Sequence, residues 1–311
     1  MPTAKYFDHC PPFPSGVHVV PLPKISFKGL QNGNEKEIQT LFQACQEWGF
    51  FMLDLQQSEK GKELLGDAEK MFELTQETYS LDQSVLDSHA YKPPYDLTGY
   101  ADIREEEKLS HKLILADVIF LHLDNQLGLR PGTLKGLGPL DQISETSVRL
   151  LRSQSQSSSQ PETISLGGHT DIGVITLLFN VVGGLQILPA DCDNKPENWL
   201  CVKPEPGNVL VNIGDTLVEW TGGILRSSLH RVITAPGEQA LVSRQSVAYL
   251  MRSRSNASMQ RLKSDIIPPV AQDEEEETRS VTEWAAWRAM QVMLGQLKPQ
   301  TRGGKKSVVV V

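Results

Sequence analysis

The stretch Leu229-His230-Arg231-Val232-Ile233-Thr234-Ala235-Pro236-Gly237, continued by Ser243-Arg244-Gln245-Ser246-Val247-Ala248-Tyr249-Leu250, reads as strand, turn, strand. His230 stands seven residues before Gly237 and Arg244 seven after it. A tight turn centred on Gly237 predicts that the two are cross-strand neighbours with side chains on one face, shared by Ser246. Upstream, His169-Thr170-Asp171 sets an imidazole and a carboxylate two residues apart, the spacing at which strand side chains point the same way while Thr170 faces the other. Two histidines, one carboxylate and one arginine are therefore expected to converge on one interior point.

The same texture fills the middle of the chain. Short β-rich runs at 172–179, 185–188, 199–202, 208–213, 229–234 and 241–250 are separated by Gly183-Gly184, Pro204-Glu205-Pro206-Gly207, Gly222-Gly223 and Pro236-Gly237. Evenly spaced strands without helices between them predict an antiparallel sandwich or barrel. The first third is helical by its periodicity. Asn34 caps a stripe of Ile38, Leu41, Phe42 and Cys45 that stops at Gly49, and a strand follows over 50–55. A second helix carries Leu64, Leu65, Ala68, Met71, Phe72 and Leu74 on one face, and a third spans about 109–127. The polar stretch 153–160 reads as a mobile surface loop. The run Asp273-Glu274-Glu275-Glu276-Glu277 reads as a solvated loop or helix start, before a last helix over 281–294 with Trp284, Trp287 and Leu294 on one side. The fold class is thus mainly β with flanking helices. The expected division is a helix-rich module over 1–105, a helix plus sheet core with a C-terminal helix over 106–295, and a flexible tail over 296–311.

Composition narrows the partners. With 39% hydrophobic and 22% charged residues in 311, the chain can bury a sizeable core. Its net charge of −8 comes without any Lys/Arg cluster interleaved with aromatics, so nucleic acid is not an expected partner. Cys10, Cys45, Cys192 and Cys201 lack C-x-x-C spacing and read as free thiols in a reducing compartment. No apolar stretch of signal-peptide length opens the chain and none reaches 18 residues, so no membrane is expected and the cytoplasm is the expected address.

The chemistry is carried by few residues. Two His and one carboxylate on one side of an open coordination sphere are the ligand set of non-haem Fe(II) oxygenases, which fix three ligands and keep positions free for substrate and O2. His169, Asp171 and His230 supply that set. The planar fork of Arg244 and the hydroxyl of Ser246 would grip the far end of a carboxylate-bearing ligand whose near end reached the metal. His9, His18, His89, His111 and His122 have no partner carboxylate at ligand spacing and read as structural or exposed. No nucleophile elbow exists, and Gly183-Gly184 lacks the strand-to-helix setting of a phosphate loop.

With these residues in place, most of the chain resembles the 2-oxoglutarate and Fe(II)-dependent dioxygenases, in particular the isopenicillin N synthase-like branch with its fungal small-molecule oxygenases. Glu47-Trp48-Gly49-Phe50-Phe51 is similar to that family's N-terminal module. Ser165-Leu166-Gly167-Gly168-His169-Thr170-Asp171, Gly183-Gly184-Leu185-Gln186, Asn212-Ile213-Gly214-Asp215, Leu229-His230-Arg231-Val232 and Arg244-Gln245-Ser246 follow in the family's order. The resemblance implies a double-stranded β-helix, or jelly roll, with His169, Asp171 and His230 as iron ligands. It also implies that Arg244 and Ser246 hold the distal carboxylate of 2-oxoglutarate. The implied activity is oxidation of a small organic molecule by O2, as hydroxylation, desaturation or cyclisation, in secondary metabolism or small-molecule catabolism. The alternatives are an iron oxidase that consumes no 2-oxoglutarate, and a catalytically impaired binding protein. Two departures from the family stand out. Leu150-Leu151-Arg152-Ser153-Gln154 holds no tyrosine where relatives often use one for the cosubstrate, and the segment after Tyr100 is short, which predicts an incomplete sheet near 99–105 and an open site.

Overall fold

The computed structural model describes residues 2–88, 106–138, 142–156 and 163–305. The chain first forms α1 (Ala4–Phe7), β1 (Lys24–Ser26), α2 (Phe27–Gln31), α3 (Glu35–Glu47), β2 (Phe50–Asp54), α4 (Glu59–Thr78), α5 (Gln83–Ser88), α6 (Glu106–Gln126) and α7 (Thr133–Gly136). Next come β3 (Ser147–Ser153), β4 (Ile164–His169), β5 (Ile175–Asn180), β6 (Leu185–Ile187), β7 (Leu200–Cys201), β8 (Asn208–Ile213), α8 (Asp215–Trp220) and β9 (Arg226–Ser227). The series closes with β10 (His230–Ile233), β11 (Arg244–Met251), α9 (Val281–Met293) and β12 (Arg302–Gly303).

The helices expected in the first third form where the apolar stripes lie. The Asn34 side chain accepts from the Glu37 amide at 3.2 Å and starts α3, whose Ile38, Leu41, Ala44 and Cys45 are buried. Gly49 ends that turn with φ of 63°, and a Cβ there would lie 2.3 Å from the Arg226 carbonyl oxygen, so both backbone sign and space demand glycine. Leu64, Leu65, Ala68, Met71 and Phe72 of α4 are likewise buried, with α6 beside them.

Two sheets carry the core. The larger has six strands in the order β1-β2-β8-β5-β11-β3, and the smaller has four, β4-β10-β6-β7. Strand alternation divides the larger sheet cleanly. Phe51, Leu53, Leu177, Phe179, Val209, Val211, Val247 and Tyr249 pack outward with α3, α4 and α6, while Phe50, Met52 and Leu210 pack inward on Leu185, Ile187 and Val202 of the smaller-sheet region. Two facing sheets filled by alternate residues, with helices over the outer face, are the jelly-roll layout, here as a sandwich and not a closed barrel. β1 and β2 are strands of the larger sheet, and one core runs from Ile25 to Ala285, so the N-terminal helices and the sheet share their interior. Among the described residues no helix is long and apolar enough to cross a membrane.

Several expectations need correction. β10 and β11 are not a hairpin: β10 pairs with β4 and β6, and β11 with β3 and β5. A 3-10 turn over Gly237–Leu241 intervenes and carries the chain from one sheet to the other, so symmetry about Gly237 does not make His230 and Arg244 cross-strand neighbours. β4 ends at His169, so Asp171 is not on a strand with it. β3 covers the first residue of the expected loop at 153–160, of which 157–160 lie outside the described residues. In α9, Trp284 is buried at 2% exposure, but Trp287 and Leu294 are exposed at 39% and 62%, so the three do not form one buried stripe. The tail expected to be free from 296 is docked further on. Arg302 and Gly303 pair with Ser227 and Arg226, and the Lys305 amide bonds Gln46 O at 3.0 Å. The expected gap near 99–105 lies outside the described residues.

Candidate active site

His169 and His230 are direct cross-strand partners at the ends of β4 and β10, which stacks their rings at a centroid distance of 4.3 Å. Asp171 reaches the same point from the loop after β4. Its Oδ1 lies 3.7 Å from His169 Nε2 and 3.8 Å from His230 Nε2, and one ligand atom from each residue falls within 4.8 Å of the others. Two bonds of about 2.1 Å span such separations. The pair that sequence spacing misassigned to one strand thus converges through a loop.

Hydrogen bonding fixes each donor. His169 Nδ1 lies 2.9 Å from Gly167 O and His230 Nδ1 3.0 Å from Ser228 O. A carbonyl only accepts, so both Nδ1 atoms carry the proton and both Nε2 lone pairs are free to face an ion. Asp171 Oδ2 accepts from Thr176 Oγ1 at 2.6 Å and Asn212 Nδ2 at 2.8 Å, leaving Oδ1 toward the histidines. Thr176 and Asn212 are themselves register partners on β5 and β8. Burial raises the Asp171 carboxyl, but the charges of His230 and His169 and these two hydrogen bonds outweigh it and hold it below the usual carboxylate range. Burial lowers His230 more than Asp171 raises it, so that imidazole stays neutral. The chemistry of the set fits a divalent cation: one carboxylate oxygen and two imidazole nitrogens, each residue locked by a second partner.

The loop that carries Asp171 is pinned by the start of α8. The Asp215 amide donates to Asp171 O at 2.7 Å, the Gly214 amide to Val174 O at 2.8 Å, and Thr216 Oγ1 to Ile172 O at 2.7 Å. Asp215, fully buried, also accepts from Thr170 Oγ1 at 3.0 Å and from Arg288 Nε of α9 at 2.7 Å. Phe50 packs edge-on against His230 at 5.3 Å.

Arg244 and Ser246 lie on β11 on the face that bears Thr176, because Leu250 pairs with Thr176 and alternate residues follow it. Arg244 is 7% exposed, donates through Nε to Gly183 O at 2.8 Å and through Nη1 to Ser246 Oγ at 3.2 Å, and has no carboxylate partner among the described residues. Burial alone pushes its guanidinium down to about 10. A buried cation held by neutral acceptors is incomplete without an anion, which is what a ligand carboxylate would provide. Arg244 and Ser246, expected on one face two residues apart, are together there, whereas Arg244 is not the cross-strand neighbour of His230. Of the other histidines, His122 is buried with Nε2 2.9 Å from Leu30 O, a structural bond. His89 and the His111 side chain fall outside the described residues. Thr176, Asn212 and Gln239, the last accepting from the Gly183 amide at 2.8 Å, carry no charge that would have singled them out in the sequence.

Comparison with known proteins agrees with this geometry. Residues 147–253 match the model of the 2OG-Fe(II) oxygenase superfamily, and residues 22–135 that of the non-haem dioxygenase in morphine synthesis N-terminal domain. A 2-oxoglutarate-dependent dioxygenase of Aspergillus fumigatus is 27% identical over 83% of this chain and 82% of its own. The 2-oxoglutarate-dependent dioxygenase frbH of a Dothideomycetidae species is 28% identical over 76% of this chain and 84% of its own. Among solved structures, a full-length Neurospora crassa protein in complex with alpha-KG superposes with a TM-score of 0.71 at 18% identity, covering 89% of this chain and 98% of that one. The rice dioxygenase for auxin oxidation does so at 0.62 and 20% identity, over 91% and 97%.

Proposed function

Since the chain belongs to the 2-oxoglutarate and Fe(II)-dependent dioxygenases, enzymes that act on small molecules, we propose that His169, Asp171 and His230 hold the iron and that Arg244 and Ser246 hold the distal carboxylate of 2-oxoglutarate. The observation that carries the assignment is the free Nε2 of each histidine aimed at the one free Asp171 oxygen, with both outer nitrogens and the outer oxygen already bonded. Bound together, iron and 2-oxoglutarate activate O2 to oxidise a substrate carbon, while the cosubstrate becomes succinate and CO2.

The protein's own part is positional. Gly167 O and Ser228 O keep the imidazoles in the ligating tautomer. Thr176 and Asn212 orient Asp171 and hold it ionised. Arg244, held by Gly183 O and Ser246, offers a preorganised fork that selects a dicarboxylate of the right length over a monocarboxylate. The inward cluster of Phe50, Met52, Leu185, Ile187 and Leu210 keeps water from the inner end of the site. In this reading the N-terminal helices serve the sheet as an outer support, and the reaction is hydroxylation, desaturation or cyclisation in secondary metabolism or small-molecule catabolism. The test is conversion of 2-oxoglutarate to succinate by the Fe(II)-loaded protein under O2. The reading requires turnover that vanishes in His230→Ala and in Asp171→Ala; turnover that persists in both variants, or is absent from the parent protein, contradicts it.

A further inference from the structure

The inward face of the larger sheet carries more positive charge than the cosubstrate needs. Arg149 of β3 is the register partner of Ala248, so it shares the face of Arg244, Ser246 and Thr176. Arg152, on the opposite face, is already engaged, its guanidinium 6.0 Å from the Tyr79 ring. Arg149 is exposed and has no hydrogen bond or ion pair among the described residues. Arg252, one residue past β11, projects toward the same region. Its Nη1 lies 3.7 Å from Glu145 Oε2, too far for a hydrogen bond, and the Glu145 side chain is half exposed at 52%. The Arg252 side chain is only 21% exposed, burial lowers its guanidinium, and the charges of Arg149 and Asp171 both act on it.

Arg149 thus lies on the face that bears Thr176, the hydrogen-bond partner of Asp171, and the Arg252 side chain reaches the loop that carries Asp171, its Cγ 3.7 Å from where a Cβ on Gly173 would stand, with Glu145 its loosely held partner, in a chain whose net charge is −8. Both stand apart from Arg244: eight residues of extended strand from 244 to 252 span about 26 Å, and Arg149, opposite Ala248, lies four residues or about 13 Å along the strand from it. β3 is an edge of its sheet, and Leu151, beside Arg149 on the same face, is 45% exposed, so this face opens to solvent here. Resting on the iron and 2-oxoglutarate reading above, we propose that Arg149 and Arg252 recognise the substrate, and that the substrate class is a small organic acid whose carboxylate bridges the two guanidinium groups while its hydrocarbon part lies toward His169 and Asp171.

The experiment uses the protein loaded anaerobically with Fe(II) and 2-oxoglutarate, so that the Arg244 position is filled. Benzoate, phenylacetate, hexanoate and dodecanoate are titrated, each beside its methyl ester, with binding read by calorimetry and by the change in the visible absorption of the chelate. At least one acid is expected to bind about 10-fold or more tightly than its ester, and Arg149→Gln and Arg252→Gln each to weaken that acid by about 10- to 100-fold, with Arg149→Lys retaining most of the affinity. Arg149 is exposed, so its variants test the idea even if Arg252→Gln fails to fold. A chelate that forms normally while no acid binds, while acids and esters bind alike, or while the Arg149 variants bind as the parent does, overturns the proposal alone. Failure of the chelate to form overturns the underlying reading and the proposal with it.

Discussion

Arg244 is the residue whose chemistry and surroundings argue most sharply for a ligand. Lysine at this position keeps the charge and loses the planar fork, so Arg244→Lys is expected to weaken 2-oxoglutarate by about 1.5–3 kcal/mol and leave Fe(II) affinity unchanged, as measured by separate titrations of metal and cosubstrate. The metal-free protein should also be sensitive to acid. His230 and Asp171 both have folded-state values below their ordinary ones, so the unfolded chain binds more protons and stability falls as pH falls. The His230 contribution is complete above the unfolded value of about 6.5 and is lost below it, and the Asp171 contribution follows below about 3.9. The thermal midpoint of the metal-free protein should therefore drop between about pH 7.5 and 5.5, and the drop should shrink in His230→Asn; an identical pH slope in that variant would refute the assignment of His230 as a buried neutral base. At this scale the sequence was legible wherever chemistry is rare. Imidazole, carboxylate and guanidinium advertise themselves, whereas Thr176 and Asn212 gain their role only from being opposite each other across two strands.

At the scale of elements, the strands were readable by apolar content and turn residues, and their pairing was not. Equal spacing about Gly237 suggested a hairpin, yet Pro236 and the turn after it redirect the chain between sheets, a choice made by which faces must be buried and invisible to local spacing. β3 and β4 were hard to read for a related reason. Both are edge strands with mostly exposed residues, so neither shows the apolar alternation of a half-buried strand. Two glycines separate packing from propensity. Gly66 lies within α4, and a methyl group added there would meet nothing within 4 Å, so Gly66→Ala should stabilise the protein by about 0.5–1 kcal/mol in denaturant unfolding. Gly214 precedes α8, where a Cβ would lie 2.1 Å from Gly173 O and 3.0 Å from Asp171 O. Gly214→Ala should destabilise by about 1–3 kcal/mol and weaken metal binding as well, because the displaced loop is the one that presents Asp171. A destabilised variant with parental metal affinity would show that α8 does not position the ligand.

Over the whole molecule, distant segments meet at the candidate metal point. Asp215 joins the loop of Asp171 to α9 through Arg288, and the C-terminal strand β12 runs beside β9, with Arg302 bonded to Glu219. These ties explain why residues 302–305 belong to the folded unit although their composition reads as a tail. Asp215→Ala should destabilise by about 3 kcal/mol in denaturant unfolding, since it strands Arg288 beside a buried cavity; a change below about 1 kcal/mol would mean that the pair is replaceable by solvent. The long-range closure of the chain on itself was the part least legible from sequence, since it depends on which buried charges find each other and not on any local pattern. The most direct measurement is anaerobic titration of the protein with Fe(II) and then 2-oxoglutarate, following the visible absorption band of the chelate. A site built from His169, Asp171, His230 and Arg244 gives a saturable band at one equivalent of each, abolished in Asp171→Ala and shifted to higher 2-oxoglutarate concentration in Arg244→Lys. A band that never forms, or that survives unchanged in both variants, would contradict it.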